Sequence, residues 1–118
     1  MFRIMMKSKI HNATVTESNL KYSGSITIDS ALLKKVDILA GEKVHIVNLN
    51  NGSRIETYVL EGAADSGVIC MNGAAARHAQ VGDKVIIISY CMVDAKEAAS
   101  LKEKIILVDE KNKPSAKQ

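Results

Sequence analysis

The sequence predicts a small, closed, mainly β barrel carrying short helices. Three observations lead there. A chain of 118 residues has room for one hydrophobic core and no second. Hydrophobic residues make up 47% of it but aromatic ones only 3%, so the core must be built from Val, Ile, Leu, Ala and Met, a β-branched palette that suits pleated strands. Short β-prone runs recur along the chain and end at Asn-Gly or Gly-Asp corners, with two or three helical turns between them, as in a mixed sheet closed on itself.

Arg3 to Thr16 reads as one long strand or a bent pair, with Ile4, Met6, Ile10 and Val15 inward. Its alternation breaks at Lys7-Ser8-Lys9, which predicts a bulge or a change of face. Tyr22-Ser23-Gly24-Ser25 reads locally as a turn entering the strand Ile26 to Ile28. Asp29 or Ser30 can cap a helix from Ala31 to Val36, whose Leu32, Leu33 and Val36 share one face. Ala40-Gly41 closes that unit, Glu42 to Asn48 forms a strand, and Asn51-Gly52 turns it back into Ser53 to Leu60.

Gly62 to Gly67 is a loop leading to a short strand, Val68 to Cys70. Asn72 is placed to cap a helical turn over Gly73 to Arg77. Val81-Gly82-Asp83 turns into Lys84 to Tyr90, the strongest strand in the chain. A brief helix over Ala95 to Leu101 and a last strand over Ile105 to Val108 follow. From Asp109 the chain reads as a charged, frayed tail, flexible over about 110–118.

The totals also narrow function. A formal net charge of +3, with Lys and Arg scattered rather than clustered, does not suggest nucleic acid as the partner, although a basic site for a small acidic molecule stays open. Cys70 and Cys91 both sit in apolar surroundings with no metal-ligand spacing, so they read as buried reduced thiols and no metal is expected. No apolar run approaches the ~20 residues of a spanning helix, and Lys7 and Lys9 interrupt the apolar start, so a cytoplasmic protein with no membrane partner is expected.

A set of short motifs points further: Lys9-Ile10-His11, Tyr22-Ser23-Gly24-Ser25, Asn51-Gly52, Thr57-Tyr58 and Asn72-Gly73-Ala74-Ala75-Ala76. Each alone has an ordinary structural explanation. In this order and spacing, from about Met5 to about Asp109, the chain resembles the bacterial, pyruvoyl-dependent aspartate 1-decarboxylase family. The resemblance implies a six-stranded double-psi β-barrel, a homotetramer with sites at subunit interfaces, and a proenzyme that cuts itself between Gly24 and Ser25 into residues 1–24 and 25–118. It implies that Ser25 becomes a covalently bound pyruvoyl group. That group would form a Schiff base with the amine of L-aspartate and accept the electrons left by departing CO2, as pyridoxal phosphate would. The product would be β-alanine, a precursor of pantothenate and coenzyme A. No lysine with a phosphate-binding loop is present, so pyridoxal phosphate is not expected.

Residue by residue, the resemblance makes Tyr58 the proton donor, since a phenol is protonated at neutral pH. It makes Arg54 a clamp for a substrate carboxylate, with Lys9 as a second cation. Thr57 would contact substrate and polarise the Gly24 carbonyl, and Asn72, Gly73, Ala74 and Ala75 would form the substrate-binding loop. His11, Tyr22 and Val47 would line the pocket, while His45 and His78 match no role and read as surface. Thr57 and Tyr58 face opposite ways on an ideal strand, so a bulge, a strand end or a neighbouring subunit must bring both to one site. Val47 stands where relatives carry a bulky aromatic, Glu56 replaces a small polar residue on a solvent or interface face, and Glu103 stands where proline is common. An accessory maturation factor is left open as a partner.

One competing expectation comes from another class. Ser25 to Leu33 and Val36 to Val44 also resemble a swapped-hairpin DNA-binding module: a strand, a short helix and a Gly-acid turn. It covers about a fifth of the chain and lacks a dense Arg/Lys face for phosphates.

Overall fold

The computed structural model describes residues 1–115. Nine strands and two α-helices occur there, with one 3₁₀ turn. In order they are β1 (Phe2–Thr14), β2 (Glu17–Asn19), β3 (Ser25–Asp29), α1 (Ser30–Val36), β4 (Lys43–Asn48), β5 (Arg54–Gly62) and β6 (Ile69–Asn72). The 3₁₀ helix Gly73–His78 comes next, then β7 (Lys84–Asp94), α2 (Ala95–Ser100), β8 (Lys104–Val108) and β9 (Pro114–Ser115).

The strands pair in the order β2-β6-β3-β5-β4-β7-β1-β8-β9. Because β2 continues the line of β1 after a two-residue break, its pairing with β6 closes the part of this run from β6 to β1 into a ring. Thr16 tightens the seam, its N–H and hydroxyl both reaching the Ile69 carbonyl at 2.8 and 3.1 Å. Six strand positions therefore close: β1 with β2, then β6, β3, β5, β4 and β7. Two of the closing pairings, β3 with β5 and β2 with β6, are parallel and the rest antiparallel. Chain segments must cross the barrel to make those parallel pairs, which is the interlocked arrangement of a double-psi barrel. β8 and β9 lie outside it, against β1.

The core is aliphatic throughout, with Ile10, Ile26, Ile28, Ile46, Ile69 and Ile87 all fully buried. Each such side chain contributes about 1.5–3 kcal/mol on burial. Helix α1 docks through Leu32, Leu33 and Val36, and Asp29 caps it by accepting from the Ala31 N–H at 2.8 Å. The Asn51-Gly52 turn forms as expected, with Gly52 at φ +76°.

The irregularity at Lys7 is a register shift between Met6 and Ser8, and a second shift falls between Ile10 and Ala13. The first turns the Ser8 hydroxyl to the Val36 carbonyl and Lys7 to Glu42, 2.8 Å away. It also changes which residues face in. Ile10 and Val15 are buried as expected and Met6 only partly, but Ile4 is 72% exposed, because it precedes the bulge on the stretch paired with the outer end of β7.

Three other expectations need correction. The short strands β2 and β9 carry no alternating pattern of their own and exist because neighbours offer them an edge. Cys91 is only partly buried, whereas Cys70 is buried as expected; both are free. The stretch from Asp109 to Ser115 is not a frayed tail. Asn112 is fully buried there: its Oδ1 accepts from the Thr14 N–H at 2.7 Å, and its Nδ2 donates to the carbonyls of Thr14 and Gly67 at 2.9 and 2.8 Å. The tail expectation for positions 116–118 lies outside the described residues.

Candidate active site

Ser25 is the first residue of β3 and is 1% exposed, so it is no ordinary turn serine. Its φ is +111°, a conformation that costs a side-chain-bearing residue of the order of 1–3 kcal/mol. The strain thus falls on the residue that follows Gly24. The 3₁₀ turn holds this junction from behind: Gly73 has φ +59°, and a Cβ on it would lie 2.8 Å from the Tyr22 carbonyl oxygen.

The register of β3 with β6 explains the surroundings of Ser25. Ser25 stands opposite Asn72, and Thr27 opposite Cys70, so alternation puts all four on one face of the ladder. Asn72 Nδ2 donates to Ser25 Oγ at 3.2 Å and to Thr27 Oγ1 at 3.0 Å. The Cys70 thiol donates to Asn72 Oδ1 at 3.1 Å. The sequence suggested a side-chain cap from Asn72 on the 3₁₀ turn, but there is none: its Nδ2 is engaged across the ladder by Ser25 and Thr27, and its Oδ1 by Cys70 on its own strand.

Beside this ladder opens a cleft of about 180 Å³, lined by Gly24, Ser25, Ile55, Glu56, Thr57, Tyr58, Ala74, Ala75 and His78. Thr57 and Tyr58 both reach it. Pairing of β3 with β5 begins only at Ile26 with Val59, so β5 before Val59 is unpaired on that edge and both of its faces border the gap. A strand end, rather than a bulge, resolves the alternation problem. Tyr58 is 43% exposed and opens to solvent.

Among the described residues, no lysine or arginine lines this cleft. Glu56 does, but its carboxylate is engaged by Lys43 Nζ at 3.2 Å and His45 Nε2 at 3.1 Å, contacts that hold it below the usual carboxylate range, His45 first. His45 also meets the Tyr90 hydroxyl at 2.9 Å, so it belongs to a polar cluster instead of standing free on the surface. His78 is exposed as expected, yet at the cleft rim.

Among the predicted site residues, one chain brings together Gly24, Ser25, Thr57, Tyr58, Asn72, Gly73, Ala74 and Ala75. It does not bring in Lys9 and His11, which line a separate depression of about 440 Å³ with Ile105 to Leu107, Pro114 and Ser115. Arg54 is exposed at the start of β5, and Val47 pairs with it, outside the cleft. Tyr22 is 54% exposed, and its carbonyl oxygen lies against Gly73. Sequence reasoning missed Ile55, Thr27 and Cys70. The i, i+2 spacing of Ser25 with Thr27 and of Cys70 with Asn72 was visible, but which strands pair was not. Among the described residues, no group of three or more His, Cys, Asp or Glu is placed to hold a metal.

Fold and cleft together define a closed mixed β-barrel enzyme class whose site is built on one strained main-chain junction. The aspartate decarboxylase family model matches residues 1–115. An aspartate 1-decarboxylase of Listeria monocytogenes serotype 4a is 66% identical over 112 residues, covering 95% of this chain and 88% of that one. Another, from Thermoanaerobacter pseudethanolicus, is 60% identical over 114 residues, covering 97% of each. This chain belongs to the aspartate decarboxylase family. Among solved structures, the computationally designed msDPBB_sym2 protein matches with a TM-score of 0.45 at 18% identity, over 75% of this chain and 99% of that one. The DNA-binding alternative finds no support: its segment is β3, α1 and β4 of the barrel, with the apolar residues Ile26, Ile28, Leu32, Leu33 and Val44 buried in the core.

Proposed function

We propose that this chain decarboxylates L-aspartate at its α-carboxylate to β-alanine and CO2, after cutting itself between Gly24 and Ser25. The observation that carries the reading is Ser25: buried, strained, hydrogen-bonded to Asn72, and open to a cleft that also holds Thr57 and Tyr58. In the cut, Ser25 Oγ bonds to the Gly24 carbonyl carbon, the Gly24–Ser25 C–N bond breaks, and the hydroxyl proton ends on the freed nitrogen. Loss of the Cα proton then expels the Gly24 carboxylate. Water enters, ammonia leaves, and residue 25 ends as pyruvoyl.

The residues present fit that group: the ladder face of Asn72, Thr27 and Cys70 backs position 25, and the open side faces the cleft. When formed, it supplies an electrophilic carbonyl that binds the substrate amine and takes up the electrons released with CO2. Tyr58 then protonates the α-carbon. Thr57 contacts the substrate, and the loop Asn72 to Ala75 holds it through backbone N–H groups.

A dicarboxylate needs a cation, and among the described residues the single-chain cleft has no lysine or arginine. We infer that the site is completed in a homotetramer, where Lys9 and His11 of a neighbour, with Arg54, reach the substrate. Exposure of Phe2, Ile4 and Met92 at 70, 72 and 68% along paired β1 and β7 supports association through that face. The product would feed pantothenate and coenzyme A synthesis in the cytoplasm; among the described residues no helix is long and apolar enough to cross a membrane.

Intact mass spectrometry under denaturing conditions tests the reading. Residues 1–24 should appear beside a 25–118 fragment lighter by one ammonia than a fragment starting with serine. The purified protein should release β-alanine from L-aspartate and not from a Ser25→Ala variant. A chain that stays whole, or a fragment that keeps serine, would overturn it.

A further inference from the structure

We propose that Cys70 is a positioning residue for the serine that is cut. The inference rests on the self-cleavage reading above. Asn72 has an amide that can sit either way round, and each orientation satisfies Ser25 and Thr27, because a hydroxyl both donates and accepts. What breaks the tie is the third neighbour. A protonated thiol is a weak donor and a weak acceptor, and an amide oxygen is a better partner for its S–H than an amide N–H is for its sulfur. At 3.1 Å the Cys70 Sγ favours Oδ1, which turns Nδ2 toward Ser25 Oγ.

That direction matters to the chemistry. With Nδ2 donating, the Ser25 hydroxyl proton is left free to move to the departing nitrogen. As that proton leaves, the negative charge on Oγ meets the Nδ2 N–H, until the bond to the Gly24 carbonyl carbon passes the charge to the carbonyl oxygen. With the amide reversed, Ser25 would donate its proton to Oδ1, and an amide oxygen is too weak a base to carry it onward.

The surroundings of the sulfur favour the donor role. Cys70 is 6% exposed on β6, and Glu17 stands directly across from it on β2. Burial first, then the charge of the Glu17 carboxylate and a hydrogen bond to it, push the thiol upward, so the sulfur keeps its proton. Glu17 and Asn72 Oδ1 are alternative acceptors for that one proton, and the 3.1 Å contact is the one to Oδ1. An inert core cysteine would explain the burial but not a contact to the one side chain that bridges to Ser25.

A crossed pair of variants separates donation from packing. Cys70→Val keeps an apolar side chain, with one methyl more of bulk, and removes the donor; Cys70→Ser keeps the donor and removes volume. Cleavage is timed by intact mass spectrometry from the end of a pulse of cell-free synthesis, and thermal unfolding of each variant is measured beside it. Cys70→Ser should cut within about threefold of wild type and Cys70→Val about tenfold or more slowly, whichever of them unfolds first. If Val does not fold, Cys70→Ala, which adds no bulk and cannot donate, takes its place with the same expectation. Val cutting as fast as wild type, or Ser slowing as much as Val, overturns the inference and leaves the self-cleavage reading standing. A wild-type chain that stays whole overturns both.

Discussion

A Cβ on Gly73 would stand 2.7 Å from the backbone nitrogen of Gly24 and 2.8 Å from its Cα. The 3₁₀ turn therefore presses on the junction ahead of Ser25 through bare backbone, with no flexible side chain to yield. Gly24 itself has open space where a Cβ would go, so the demand for glycine at this contact lies with Gly73.

Gly73→Ala should accordingly fail in two ways. Its positive φ and the backbone clash should destabilise the protein by about 2 kcal/mol or more. The displaced junction should also leave uncut chain. Urea midpoints and the ratio of whole to cut chain check both, and a fully cut Ala variant of normal stability would refute the contact.

Tyr58→Phe removes the phenol from a half-open position at the cleft and should leave both fragments forming at the normal rate. Decarboxylation should fall by about 10²–10⁴-fold, the range for loss of a positioned acid. Carbon dioxide release measured on fully processed protein separates the two. An equally active Phe variant would remove Tyr58 from the proton transfer.

Asp29 predicts a pH dependence. Burial alone pushes its carboxyl up, but N–H donors from Gly67, Ala31 and Asp65 at 2.8 to 2.9 Å, with Lys113 nearby, outweigh that and hold it below the usual aspartate range. A lowered native value means stability present above about pH 3.9 and lost as pH falls through the native value. Asp29→Asn should therefore cost about 1–2 kcal/mol at pH 7, and the gap to wild type should close in acid. Denaturant titrations at pH 7 and pH 3 test the sign.

Asn112→Ala strips three hydrogen bonds that join the segment after β8 to Thr14 and Gly67. A loss of about 2 kcal/mol is expected, since the groups left behind are buried. Amide exchange should speed up first in residues 109–115.

Much of this was legible in the chain. Local signals placed α1 through the Asp29 cap and the Leu32, Leu33 and Val36 face, placed the Asn51-Gly52 hairpin, and found β7 in its run of β-branched residues. Those features depend on neighbours within a few positions. The motif set around Gly24-Ser25 and Thr57-Tyr58 likewise pointed to the correct family before any geometry was known. Ile4 misled because a bulge three residues on shifts the register, and a pattern of alternation cannot say where a face changes. Asn72 misled because an asparagine before a helical turn has a good local use, and only the partner across the sheet competes for its amide.

Residue type, short-range spacing and motifs were enough to specify the class of barrel, the aliphatic core, the order of most elements and the family. Tertiary structure alone decided that β2 closes the ring, that the late start of β3 pairing opens one cleft to both Thr57 and Tyr58, and that Cys70 and Asn72 stand behind Ser25. The reason is physical: strand pairing brings together residues about 45 positions apart, and no local propensity encodes which edge a strand will find.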